Sequence, residues 1–325
     1  MSDNTSLLLA DVEEGDVLEV CRLLEQGAEV NTVDEHGITP VFVAAKEGHT
    51  NTVRALAELG ANLDISNVDG GTPVWIAARQ GHTDTVRALV ELGAFIDTRN
   101  NCGRTPLWIA AQHGHSDTVR ALAELGADVN TANENNCTPV WIAADNGHSH
   151  AVRALAELRA DVNFPDDEGT SPVWIAAEKG HVLAVRALVE CGADINISAY
   201  DLTAVYYSAV RGHEDVVLYL MSAGADMAEL FSTEGFVYAA ATVNAAAANA
   251  AAAAVCSMLT ALCEGLQLDE ADSDVSALFS MTKLMSHQLV ALLLLRLVVA
   301  TATESCLRLL LGEASGSPSP LLLFR

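Results

Sequence analysis

Residues 34–64, DEHGITPVFVAAKEGHTNTVRALAELGANLD, decide the fold, because the chain copies them four more times at full length and once slightly shortened. The proline after a threonine or serine stands at Pro40, Pro73, Pro106, Pro139 and Pro172, a constant step of 33. The Gly-His pairs from Gly48-His49 to Gly180-His181 keep that step, and Gly212-His213 follows after 32, so the last connecting loop has lost one residue. A fixed period of this size is the signature of a solenoid, in which each unit buries its apolar face against its neighbours instead of in one central core.

Each unit has a legible plan. Thr39-Pro40 sets a capping hydroxyl before a proline that suits the first helical position, and Thr72, Thr105, Thr138 and Ser171 repeat the signal. The helix that starts there is short, VFVAAKE in the first copy, and Gly48 ends it by accepting a left-handed backbone. A second helix, TVRALAEL, places Val53, Leu56 and Leu59 on one apolar face and stops at Gly60. A polar loop containing Gly37, Gly70, Gly103 or Gly169 leads to the next copy. Paired alanines, from Ala44-Ala45 to Ala176-Ala177, allow neighbouring first helices to approach closely.

The units resemble ankyrin repeats. The family's Thr-Pro-Leu-His, Ala-Ala, Gly-His and Gly-Ala-Asp-Val-Asn elements are matched by TPLWIAAQHGHSDTVRALAELGADVN, Thr105 to Asn130, and the likeness covers about residues 1–228. It implies an all-α solenoid, a stack of helix-turn-helix units with β-hairpin-like loops that binds other proteins. On this plan residues 1–33 form an N-terminal capping repeat and residues 34–228 six ankyrin-like repeats. Residues 229–312 form an Ala/Leu-rich helical region and residues 313–325 a flexible tail. The cap carries Asp11 where later copies have alanine, so its first helix is expected to begin irregularly.

Departures from the pattern are informative. The family's histidine after Thr-Pro-Leu is replaced by Phe42, Trp75, Trp108, Trp141, Trp174 and Tyr206, which puts all four tryptophans at one position of the repeat. Two uses are open to this ladder: packing each loop against its own helix, or lining the concave groove as anchors for a partner. Arg159 stands where a helix-ending glycine is expected, at a strain of about 1 kcal/mol or more. Asn136 and Asp201 replace the loop glycine, and the last copy has lost its proline at Ala204, as a terminal repeat does.

No catalytic constellation is present. There is no Gly-x-Ser-x-Gly elbow, phosphate loop or His-Glu-x-x-His, and no enzyme activity, cofactor or metal is expected. The Gly-His histidines fall one per repeat, about 10 Å apart, too far to share an ion, and are expected to be structural. The pairs Arg54/Glu58, Arg87/Glu91, Arg120/Glu124, Arg153/Glu157 and Arg186/Glu190 have the spacing at which side chains face one another along a helix. Seven scattered cysteines, with no Cys-x-x-Cys, argue against disulfides and zinc and set a reducing cytoplasmic or nuclear environment as the default. Cys102 and Cys137 fall on loop tips, as exposed thiols or small fillers.

The formal charge is −26, and residues 1–226 hold 34 of the acidic and 13 of the basic side chains. Such a field repels nucleic acid; it serves solubility alone, or it steers in a partner with a basic surface. Contacts with that partner are expected at positions that vary between copies. These are Glu35, His36, Lys46 and Glu47; Val68, Asp69, Arg79 and Gln80; Asn101, Cys102, Arg104, Gln112 and His113; Glu134, Asn135, Asp145 and Asn146; Asp167, Glu168, Glu178 and Lys179.

After Met227 the period is lost. An uncharged stretch between Glu234 and Glu264 and an apolar one at 275–302 are expected to form a helical cap on the stack. The alternative is a membrane-attached adaptor anchored by these apolar helices, against which stand Arg296, His287 and the weak hydrophobicity of alanine.

Overall fold

The computed structural model describes residues 3–200 and 202–226. Fourteen helices are found there, arranged as seven pairs. The first pair is α1 (Asp3–Glu14) and α2 (Val17–Glu25); α3 (Pro40–Glu47) and α4 (Thr50–Glu58) follow, then α5 (Pro73–Gln80) and α6 (Thr83–Glu91). Next come α7 (Pro106–Gln112) with α8 (Ser116–Glu124), α9 (Pro139–Asp145) with α10 (Ser149–Glu157), and α11 (Pro172–Glu178) with α12 (Val182–Glu190). The two-residue strands β1 (Ser198–Ala199) and β2 (Leu202–Thr203) pair antiparallel before the last pair, α13 (Ala204–Arg211) and α14 (Glu214–Ser222). Each first helix packs on the next, α1 on α3 through α11 on α13, and each second helix does the same, α2 on α4 through α12 on α14.

Local chemistry starts and stops these helices. The hydroxyls of Thr39, Thr72, Thr105, Thr138 and Ser171 accept from the backbone N–H three residues on, at 3.2–3.4 Å, and all five are buried. A proline at the first helical position follows each cap. Every paired alanine from Ala44 to Ala177 is fully buried, so the first helices meet at close range with no side chain to splay them. Val53 and Leu56 are also fully buried, each contributing about 1.5–3 kcal/mol through the area removed from water. Leu59 is not part of that face. The helix ends at Glu58, Leu59 is the residue that turns into left-handed Gly60, and it is 46% exposed.

One further expectation is corrected. α1 runs unbroken from Asp3 through Asp11 to Glu14, so the aspartate in place of alanine does not interrupt it. In the shortened loop Tyr200 is left-handed (φ 54), and the expectation for Asp201 lies outside the described residues. Of the two uses open to the loop-tip cysteines, Cys137 is buried as a small filler and Cys102 is an exposed thiol. Asn136 (φ 61) and Arg159 (φ 66) do adopt left-handed backbone in place of glycine.

The expectations for residues 229–325 lie outside the described residues. Among the described residues no helix is long and apolar enough to cross a membrane.

Candidate functional site

The repeated polar side chains are consumed in holding one repeat to the next. Each Gly-His histidine sends its Nε2–H to a carbonyl of the preceding repeat: His49 to Glu13 at 2.9 Å, and His82, His115, His148 and His181 to Lys46, Arg79, Gln112 and Asp145 at 3.0 Å. His213 reaches Glu178 at 2.8 Å. The same ring lies against the preceding Gly-His glycine. A β-carbon on Gly114 would stand 2.7 Å from His148 Nδ1, so this glycine is required both for its φ of +73° and for the space it leaves.

The arginines bridge repeats too. Arg54 does not pair with Glu58 on its own helix but with Glu91 at 3.1 Å, and Arg87, Arg120 and Arg153 reach Glu124, Glu157 and Glu190 at 2.5–2.6 Å. The long guanidinium arm spans the gap to the next second helix, where the glutamate of the adjacent unit lies within reach. Arg186 finds no such acid ahead of it and lies over the Tyr219 ring at 5.0 Å. These ion pairs are exposed and stabilise by a few tenths of a kcal/mol each.

One joint escaped the sequence reading. The Asn or Asp closing each repeat accepts from a backbone N–H of the following one: Asn31 from Asn62, Asp64 from Phe95, Asn130 from Asp161, Asn163 from Asp194 and Asn196 from Asp226, at 2.7–2.9 Å. The constant amide or carboxylate at this position, in an otherwise exposed loop, was the available signal. Asp97 is in the same row and accepts from Asp128; burial pushes its carboxyl above the usual range.

The tryptophan ladder performs a related task. The indole N–H of Trp108 donates to the Cys137 carbonyl at 2.8 Å, that of Trp141 to Thr170 at 2.9 Å and that of Trp174 to Leu202 at 3.1 Å, each in the next loop. Trp75, Trp108 and Trp174 are buried to 8%, 1% and 3% exposure, so their rings pack inside the stack, and of these Trp108 and Trp174 also bond one repeat to the next. Trp75 Nε1 is buried without a partner. Only Trp141 keeps a partly open surface.

The varying positions divide into two groups. At the loop tips Glu35, His36, Val68, Asp69, Cys102, Glu134, Asn135, Asp167 and Glu168 are exposed, as are Lys46, Arg79, Gln80 and Lys179 at the ends of the first helices. Backbone bonds join successive tips, Val68 to His36 at 3.0 Å and Asn101 to Asp69 at 3.0 Å, and so fix the spacing at which those side chains are presented. The second group has structural partners. Asn101 donates to Val68 at 2.9 Å, Asn146 to Ile142 at 2.9 Å, Glu178 pairs with Arg211 at 2.6 Å, and Arg104 covers the Trp108 ring at 4.8 Å. Lys46 and Glu47 pair with each other at 2.8 Å. His113 stacks on His115 at 6.1 Å, and desolvation with the nearby Arg79 charge holds its imidazole below the ordinary pKa. Gln112 and Asp145 are half-buried; burial pushes the Asp145 carboxyl up against the opposing pull of Lys179. Burial likewise pushes the Cys137 thiol up to about 12.

Seven stacked helix pairs, tied by side-chain bonds from each unit to the next and offering a row of unlike tips, define a helical repeat protein of the solenoid class. A family model for ankyrin repeats matches in three copies, over residues 8–100, 93–166 and 158–229, and the chain belongs to the ankyrin repeat family. No curated protein matches the chain significantly.

Proposed function

We propose that the chain is a non-enzymatic scaffold that holds a partner protein with a basic surface through its loop tips and the exposed ends of its first helices. Ankyrin repeats are generally protein–protein interaction modules. The observation that carries the more specific reading is the division of labour among polar residues. Those that recur from copy to copy are spent on helix caps and on bonds between repeats, whereas Glu35, Asp69, Glu134 and Asp167 project into solvent at positions that differ from copy to copy. Exposed carboxylates in a row raise the local concentration of basic surfaces and orient them on approach.

The test is affinity capture with the full-length chain against the variant Glu35→Gln, Asp69→Asn, Asp167→Asn, Glu168→Gln, at low and physiological salt. Basic partners retained by the wild type and lost by the variant support the proposal. Capture that survives the four changes unaltered removes the acidic tips as the contact surface.

A further inference from the structure

The space between the last two repeats is unlike the others. Residues Ile76, Ile109, Ile142 and Ile175 follow the ring position in four copies, but Tyr207 takes that place in the last, and the shortened loop before it brings up Tyr200. Together with Trp141 and Trp174 these rings line a cavity of about 600 Å³. Trp174, nearly buried, lies 4.5 Å from the Tyr207 centroid and 6.2 Å from that of Tyr200, both tilted against it. Since the indole N–H groups of Trp141 and Trp174 are already bonded to Thr170 and Leu202, what partly open Trp141 has left to offer a ligand is ring face, while Trp174 backs the Tyr207 and Tyr200 rings.

The cavity is also acidic. Asp166, Asp167, Glu168 and Glu178 line it against one base, Arg211, which pairs with Glu178 at 2.6 Å. Asp166 accepts from the backbone N–H groups of Glu168 and Thr170 at 3.1 and 2.8 Å, and Glu168 accepts from the Tyr200 hydroxyl. That bond pushes the Tyr200 phenol up to about 12, so the ring stays neutral. Asp167 is exposed and its carboxylate has no protein partner. Aromatic faces attract cations through their quadrupole, by about 0.5–2 kcal/mol according to solvation. Carboxylates at the rim add to that attraction, whereas a neutral apolar group would desolvate them without compensation.

We propose that this pocket takes the cationic head of a single Arg or Lys side chain from the basic segment of a partner protein. The inference rests on the reading of the array as a scaffold for a basic partner and gives that partner an anchor point. It is sited where the fourth to sixth repeats meet because there, among the described residues, four aromatic rings and an unbalanced set of carboxylates converge.

The test uses the full-length chain labelled with ¹⁵N at its four tryptophans. The probes are nine-residue Gly/Ser peptides carrying one central Arg, Lys or citrulline, the last an uncharged isostere of Arg. With the Arg or Lys peptide the Trp141 and Trp174 indole signals move while Trp75 and Trp108 stay, and the citrulline peptide binds about tenfold more weakly or not at all. Tyr207→Ile restores the residue of the earlier copies and weakens binding about tenfold; Asp167→Asn weakens it less. Equal binding of Arg and citrulline peptides, or of wild type and Tyr207→Ile, overturns the proposal. A nona-arginine peptide separates the two levels. Unchanged affinity for it in Tyr207→Ile leaves the acidic scaffold standing without the pocket, and no binding to the wild type removes both.

Discussion

The Gly-His joint and the loop tip sit on the same repeat and follow opposite rules. At the joint, Gly-His recurs in the six helix pairs after the first, which has Gly15-Asp16: each ring occupies the space that the glycine of the preceding pair leaves, and its Nε2–H takes a carbonyl one repeat back. At the tip, Glu35, Asp69, Cys102, Asn135 and Glu168 share nothing but exposure. The contrast teaches that sameness in this chain marks bonds between repeats, and difference marks surface left over for something else.

The comparison breaks first at the joint. Gly114→Ala places a methyl 2.7 Å from His148 Nδ1 on a left-handed backbone, and should cost about 3 kcal/mol or more in urea unfolding. Gly126→Ala is the control: its φ is +100° but nothing lies within 4 Å, so only the backbone strain of about 1–2 kcal/mol applies. Equal losses at the two sites would show that the histidine contact contributes nothing.

Next in size are the tryptophan bonds. Trp108→Phe removes the 2.8 Å bond to the Cys137 carbonyl, which keeps the Asn133 N–H at 3.1 Å, for a loss of about 0.5–1.5 kcal/mol in the same assay. Trp75→Phe removes a buried N–H that has no partner, so its effect is close to zero or stabilising. Smaller again, Arg159→Gly relieves a side chain held at φ 66, and the thermal midpoint should rise by the equivalent of about 0.5–1 kcal/mol.

Much of this could be read directly from residues. The 33-residue step, the Thr-Pro caps and the αL glycines placed the helix pairs; the alanine pairs placed the contacts between them. What could not be read was which neighbour a side chain chooses. Arg87 stands four residues from Glu91 in sequence, yet it bonds Glu124, because spacing along one helix says nothing of the adjacent helix that stacking brings alongside. The tryptophans were ambiguous for a like reason: their position in the repeat was plain, but burial and the carbonyl each indole meets are properties of two repeats together. Leu59 misled because apolar periodicity ran one residue past the helix end. The aromatic pocket was hidden in the least regular loop, where one missing residue shifts Tyr200 into the left-handed position.

The smallest expected effect on stability is also the most direct test of the central claim, that the repeats hold one another while the tips remain free to bind. Urea unfolding of the variant Glu35→Gln, Asp69→Asn, Asp167→Asn, Glu168→Gln should give a free energy within about 0.5 kcal/mol per site of the wild type, since these side chains are exposed. Binding of nona-arginine, measured on the same samples, should fall steeply. A variant that loses several kcal/mol of stability and still binds the peptide as the wild type does would contradict the account.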